Sequence, residues 1–367
     1  MSAATAGDTP GGAAGRSAGT PRAGEAGEAG GAAEARTAKE AAREGAGSDR
    51  SPEGGRTGGR ARPGVAVLRL HRTALLVWGG YVLAAVAVLV WTVTVTADAA
   101  LREQARCVGE PVCGIAATLA YGDRIGMVAT AVCYGFLVVA AFAGGALFGR
   151  ELENGTAHLV WTQSVSPARW LAAELAVAAL PLLLGSAVLV LSFRWAWSAH
   201  RELLGTDWTF ADVFVARGPA TAAYCLCALA VGALAAVVLR RALPALGVSV
   251  ASVLALNLVL DGFRPSLWPH VTRTARTPFE VSGSAWQIEN GAVVGGRRTA
   301  ELGPHLCDGT AAEVRRCMAE GDITGYYAAY HPPSHFWPLH LAETGIVLAV
   351  AALATGAAFL LLRHRTA

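Results

Sequence analysis

From residue 73 onward, apolar runs about twenty residues long alternate with polar segments. A helix needs about 20 mostly apolar residues to cross the hydrocarbon core of a bilayer. Six runs reach that length: Thr73–Ala97, Ile125–Phe148, Leu171–Phe193, Pro219–Leu239, Ala242–Leu260 and Thr344–Leu362. The first two carry no charge, while the third holds Glu174 near its start and Pro181 in its middle. Proline removes a backbone donor, so a neighbouring span or a water must serve the carbonyl it frees. Only Arg240 and Arg241 separate the fourth and fifth runs, which predicts a tight hairpin. The pattern predicts an all-α integral membrane protein, with six transmembrane helices in a domain covering 63–367.

The polar segments between the runs set an orientation. Basic residues near span ends favour the cytoplasmic side. With the N-terminus inside, the inner segments hold Arg69, Arg72, Arg150, Arg169, Arg240, Arg241, Arg363 and Arg365. The outer segments, 98–124, 194–218 and 261–343, mix Arg with Asp and Glu. Both termini are therefore expected in the cytoplasm. Residues 1–62 are mostly Gly, Ala, Arg and Glu and cannot bury enough apolar surface to offset their ordering entropy. They read as a disordered cytoplasmic tail whose charges nearly cancel. The extracytoplasmic loop 261–343 is turn-rich over 262–341 and is expected to form a small cap with short helices. Within it, PSLWPHV and the 323–337 region are expected to dip into the membrane interface.

Composition narrows the classes. Residues are 53% hydrophobic and 16% charged, against about 25% charged in soluble domains. Mean hydropathy is +0.41. A net charge of +3 is too weak to argue for nucleic acid as a partner. The single lysine, Lys39, lies in TAKEA and not in a phosphate-binding Gly-Lys-Ser/Thr loop, so the chain is not itself a P-loop ATPase. Of seven cysteines, Cys133, Cys225 and Cys227 fall in spans and read as packing residues. The other four, Cys107, Cys113, Cys307 and Cys317, all lie in segments placed outside, where disulfides persist. Four cysteines allow three pairings; the local pairs Cys107–Cys113 and Cys307–Cys317 are the expected ones. Trp195, Trp197, Trp268 and Trp337 near outer ends, and Trp161 and Trp170 near an inner end, match interfacial aromatic belts.

One inner segment is long enough to present a surface. Residues 150–170 read RELENGTAHLVWTQSVSPARW. As a short helix, Leu152, Thr156, Leu159 and Val160 would share a less polar stripe, with Glu151, Asn154 and His158 on other faces. Gly155 would interrupt that helix or mark its edge. Ser166 and Pro167 read as the cap and first residue of the next helix. On the residues alone, the segment is either an elbow lying on lipid headgroups or a docking surface.

This segment resembles the one after the second span in permeases of the ABC-2 type: an acidic residue, one spacer, Gly-Thr, a short helix, then a Ser/Thr-x-x-Arg turn. Here these are Glu153, Gly155, Thr156 and Ser166 to Arg169. WTQSVSPARW resembles the actinobacterial branch in particular. YHPPSHFWPLHLAETGIVLAV, from Tyr330, is similar to the family's aromatic, Pro-rich entry into its last span, with Glu343 just inside the boundary. The resemblance covers roughly 65–367. It implies a type V exporter-like permease in a bacterial plasma membrane, with a twin or related permease and membrane lipid around it. It also implies that a separate cassette ATPase carries ATP and magnesium, so this chain is not catalytic and holds no cofactor or metal. The loop 149–170 would be the coupling-helix loop, with a docking surface from Glu151 to Trp161. Arg150 and Glu153 would be polar contacts or braces, Leu152 and Leu159 apolar knobs, with Gly155 and Thr156 between them.

Other residues carry two readings each. Glu343 is costly near hydrocarbon and defaults to a functional role, or it is a boundary Glu reaching water or a helix N-terminus. Asn257 and Asp261, near the outer end of the fifth span, are further candidates, and Asn257 reads as an interhelical hydrogen-bonding group. Gly247, Ala251 and Ala255 lie four apart on the fifth span and suit either a dimer interface or packing within the subunit, the latter favoured. His331, His335 and His340 do not form a helical zinc motif, because prolines interrupt them. A six-span membrane enzyme or sensor that needs no ATPase is the rival reading.

Overall fold

The computed structural model describes residues 72–108, 113–162, 165–205, 207–300, 307 and 309–366. The expected tail 1–62 lies outside them, as do the side chains of His158 and Val160. Among the described residues, six helices are long and apolar enough to cross a membrane. We label them with the shorter elements in chain order. They are α1 (Arg72–Arg106), α2 (Ala116–Glu153), α4 (Pro167–Ala199), α6 (Ala220–Leu239), α7 (Ala242–Ser266) and α9 (Pro333–Arg365). Each expected span lies within or closely overlaps one of them. Most run on past the apolar window, because hydropathy marks the hydrocarbon core while helical hydrogen bonds continue into the headgroup layer. Short helices α3 (Thr156–Thr162), α5 (Ala211–Ala216) and α8 (Ala311–Glu320) lie between them.

The central helix is α6, which packs along α9, α7, α2 and α4. Its sequence, ATAAYCLCALAVGALAAVVL, is dominated by small side chains, and these let neighbouring backbones approach closely. A Cβ on Gly232 would lie 2.6 Å from the Ala143 Cβ and 2.8 Å from the Gly144 nitrogen. There α2 loosens into a π-turn, Phe142–Leu147. Pro181 in α4 faces α1, and the Trp78 indole donates to the Pro181 carbonyl at 2.9 Å. Cys133, Cys225 and Cys227 are buried and free.

The segment expected to hold short helices is instead mainly a sheet. Strands β1 (Val271–Ala275), β2 (Trp286–Val294), β3 (Arg297–Thr299) and β4 (Ile323–His331) form one antiparallel sheet in the order β1-β4-β2-β3. Among the described residues of the segment, α8 is the one separate α-helix that fits the expectation of short helices. The start of the 323–337 region is strand β4, which pairs on both sides, with β1 and β2. Its backbone donors are used inside the sheet, and most of its side chains are buried. Cys307 is bonded to Cys317 on α8, and Cys107 to Cys113 between α1 and α2. Both bonds lie on the sheet side of the helical domain. From β4 the chain passes directly into α9, whose first turn, Pro333–His335, is a 3-10 turn.

Candidate functional site

On the side opposite the sheet, α2 ends at Glu153 and a separate helix begins at Thr156. Gly155 between them has φ +71°, a left-handed conformation that glycine adopts without a Cβ penalty. The Asn154 amide closes the end of α2 on the Arg150 carbonyl at 2.9 Å. The Thr156 hydroxyl donates to the Glu151 carbonyl at 3.1 Å. Leu152 and Leu159 therefore do not share one helical stripe, which corrects the single-helix reading. Leu152 is half-buried at the end of α2 and packs on the core, whereas Leu159 is 66% exposed on α3.

The loop is held at three places. Trp161 meets Trp170 edge to face at 5.8 Å between centroids, and Trp170 meets Phe148 at 6.4 Å. Ser166 caps α4, accepting from the Arg169 amide, with Pro167 at the first helical position. The third hold is on α7: Glu153 accepts a hydrogen bond from the Ala242 amide at 2.8 Å. The first amides of a helix lack internal acceptors, and their positive end favours a carboxylate. The fit needs Gly149, where a Cβ would lie 2.8 Å from the Ala242 Cα. Arg150, Glu153 and Thr156 are exposed, and Glu151, Gly155 and Trp161 are intermediate.

Near the sheet side, several polar groups meet inside the helical domain. Glu343 on α9 is fully buried, and Arg264 at the end of α7 is 1% exposed. Arg264 Nε donates to Glu343 Oε2 at 2.7 Å, and Nη2 lies 3.2 Å from Oε1. The Tyr224 hydroxyl of α6 donates to Glu343 Oε1 at 2.9 Å. Arg264 Nη1 donates to Asp261 Oδ1 at 2.6 Å, and its guanidinium lies 4.5 Å from the Phe214 ring centre. Asn257 is buried beside Tyr224. Glu343 thus neither reaches water nor caps a helix. Arg264 and Tyr224 were not anticipated.

The histidines serve local contacts. His340 Nε2 accepts from the Ala220 amide at 3.1 Å and so caps α6. His331 Nε2 donates to the Pro265 carbonyl at 2.9 Å, and its Nδ1 lies 3.0 Å from His335 Nδ1. Burial pushes the His331 imidazole below its ordinary range, and the neighbouring histidines add to that.

The family model described as ABC-2 membrane transporter related matches residues 79–264, just over half of the chain. The chain belongs to that family. The matched stretch of this ABC-2 related protein runs from α1 to the end of α7. It holds the Glu153 loop, Tyr224, Asn257, Asp261 and Arg264, but not the sheet, α9 or Glu343. No curated protein and no solved structure matches the chain. The ABC-2 related chain is a multi-pass membrane protein of a transporter family. The small-residue stripe on α7 faces outward, correcting the reading that it packs within the subunit. Gly247, Ala251 and Ala255 are exposed, and a Cβ on Gly247 would meet nothing within 4 Å. The buried face of α7 is Ala245, Ser249, Val253, Asn257 and Leu260.

Proposed function

We propose that this chain is the transmembrane subunit of an ATP-binding cassette exporter. In this reading a separate cassette ATPase docks on the loop Arg150–Thr162, carries ATP and magnesium, and drives the helices of this chain and of a twin or related permease. A docking element transmits motion only if it is fastened to the helices it must move. The observation that carries the reading is Glu153, which ties the loop to the first residue of α7 while Leu159 stands exposed beside it. The orientation follows in the same reading: loop and termini in the cytoplasm of a bacterial cell, sheet and disulfides outside. Arg150, Arg169, Arg240, Arg241, Arg363 and Arg365 on the loop side support it. The outward stripe Gly247, Ala251 and Ala255 suits contact with the second permease.

The test is co-purification with the cassette ATPase encoded beside this chain. Retention of the ATPase is expected with the unaltered protein. Leu159→Asp should abolish it while leaving membrane insertion intact, because a charge would replace the exposed apolar knob. An ATPase that never co-purifies, or that binds the Leu159→Asp variant equally, would count against the assignment.

A further inference from the structure

Three guanidiniums gather on the sheet side, separated from Arg264 by the Phe214 and Phe336 rings, whose centres are 5.5 Å apart. Arg194 is on the last turns of α4, Arg201 follows that helix, and Arg217 precedes α6. They are strung along one aromatic strip. Arg201 and Arg217 lie 4.7 and 5.3 Å from the Trp197 ring centre, Arg217 also lies 4.8 Å from that of Phe336, and Arg194 lies 5.3 Å from that of Trp337. Phe336 and Trp337 are themselves in contact, with ring centres 5.3 Å apart. The anionic side of the cluster is thin. Asp207 binds Arg201 at 2.8 Å, and among the described residues neither Arg194 nor Arg217 is paired with a carboxylate.

Ring faces hold Arg194 and Arg217, and that leaves their N–H edges available. A stacked guanidinium keeps its planar fork oriented and can give two parallel hydrogen bonds to a phosphate. Arg217 cannot simply extend into water, because it is half-buried between Trp197, which is 4% exposed, and Phe336. Burial, with Arg194 and Arg201 nearby, pulls its pKa below the usual arginine value. Like charges held together this way call for a counter-ion. The level in the bilayer supplies one kind: Trp195 and Trp337 are exposed beside the cluster, as in the aromatic belts that lie among headgroups.

We propose that Arg194 and Arg217, with Arg201 beside them, bind a phosphate-bearing anion at the membrane surface, either the headgroup of an anionic phospholipid or a free phosphate. Site and ligand are independent of the ATPase reading. The experiment uses the full chain, purified in detergent and stripped of lipid. Phosphatidylglycerol, phosphatidylcholine and inorganic phosphate are titrated separately, with bound lipid counted by native mass spectrometry and thermal unfolding followed in parallel. The unaltered chain is expected to prefer phosphatidylglycerol to phosphatidylcholine. Arg194→Gln/Arg217→Gln should weaken that binding about tenfold or more, about 1.4 kcal/mol, while Arg315→Gln on α8 should not. If the double variant does not fold, Arg217→Lys keeps the charge and loses the fork, and should still lower the preference. Stabilisation by inorganic phosphate equal to that by the lipid, with the same loss in the variants, would support the site and assign it to a soluble anion. An unchanged preference in every arginine variant at the site, or no effect of either phosphate source on the unaltered chain, would overturn it.

Discussion

Glu343 is the one carboxylate among the residues of α9, and its surroundings answer the charge. Arg264 offers two nitrogens and Tyr224 a hydroxyl, while Asp261 takes a further nitrogen of the guanidinium. Burying such a pair is costly in itself, but removing one partner is worse, because the other is left buried and unpaired. Arg264→Gln or Glu343→Gln should each cost about 3–5 kcal/mol. Arg264→Met combined with Glu343→Leu should cost less than either. Thermal unfolding of the four proteins in detergent checks this; a loss in the double variant equal to the sum of the two single losses would mean that the two groups are not energetically coupled. Three of the five residues in the cluster were legible in the sequence: Glu343, Asn257 and Asp261 stand out as polar residues in or beside apolar runs. Arg264 did not, because it lies four residues past the apolar run and reads as loop. The spacing of Asn257, Asp261 and Arg264, four and then three apart, was the signal available, since it places all three on one face of a continuing helix. Tyr224 and the Ala242 amide give no such signal: one is a tyrosine in an apolar run, the other is backbone.

At the scale of elements, close approach around α2 depends on glycines that allow backbone to touch backbone. A Cβ on Gly149 would lie 2.2 Å from the Gly144 carbonyl oxygen and 2.8 Å from the Ala242 Cα, and neither is a side chain that can swing away. Gly149→Ala should therefore destabilise by about 1–3 kcal/mol through overpacking, and it should push α7 away from Glu153. Gly356→Ala in α9 meets nothing within 4 Å and should be neutral or stabilising by about 0.5–1 kcal/mol, the ordinary gain for Ala over Gly in a helix. Melting temperatures of the two variants decide it; similar losses at both sites would show that helix packing here is not backbone-limited. Sequence pattern marked these helices well but hid the sheet. Strand β4, ITGYYAAYH, is buried on nearly every residue, so it lacks the alternation that identifies a half-buried strand. A capping box at Thr310 and Glu313 starts α8.

Across the whole molecule, the six spans follow from hydropathy, and the side to which each end belongs follows from alternation. Which side is the cytoplasm needs a separate argument from charge and cysteine chemistry. The cysteines also supply the means of testing it. All seven are accounted for: four are disulfide-bonded and three are buried in spans. A single added cysteine is therefore the one thiol open to a reagent in water. Leu159→Cys places it on α3, at a residue 66% exposed, and Arg297→Cys places it on the exposed strand β3. If the side of the Glu153 loop faces the cytoplasm, a membrane-impermeant maleimide should label Arg297→Cys in intact cells and Leu159→Cys only after the membrane is opened. The reverse pattern would put the sheet inside. The disulfides Cys107–Cys113 and Cys307–Cys317 would then sit in a reducing compartment, where such bonds rarely persist, and the loop could not meet a cytoplasmic ATPase. One labelling experiment thus bears on the charge rule, on the compartment of the disulfides and on access to the Glu153 loop, because all three depend on the same orientation.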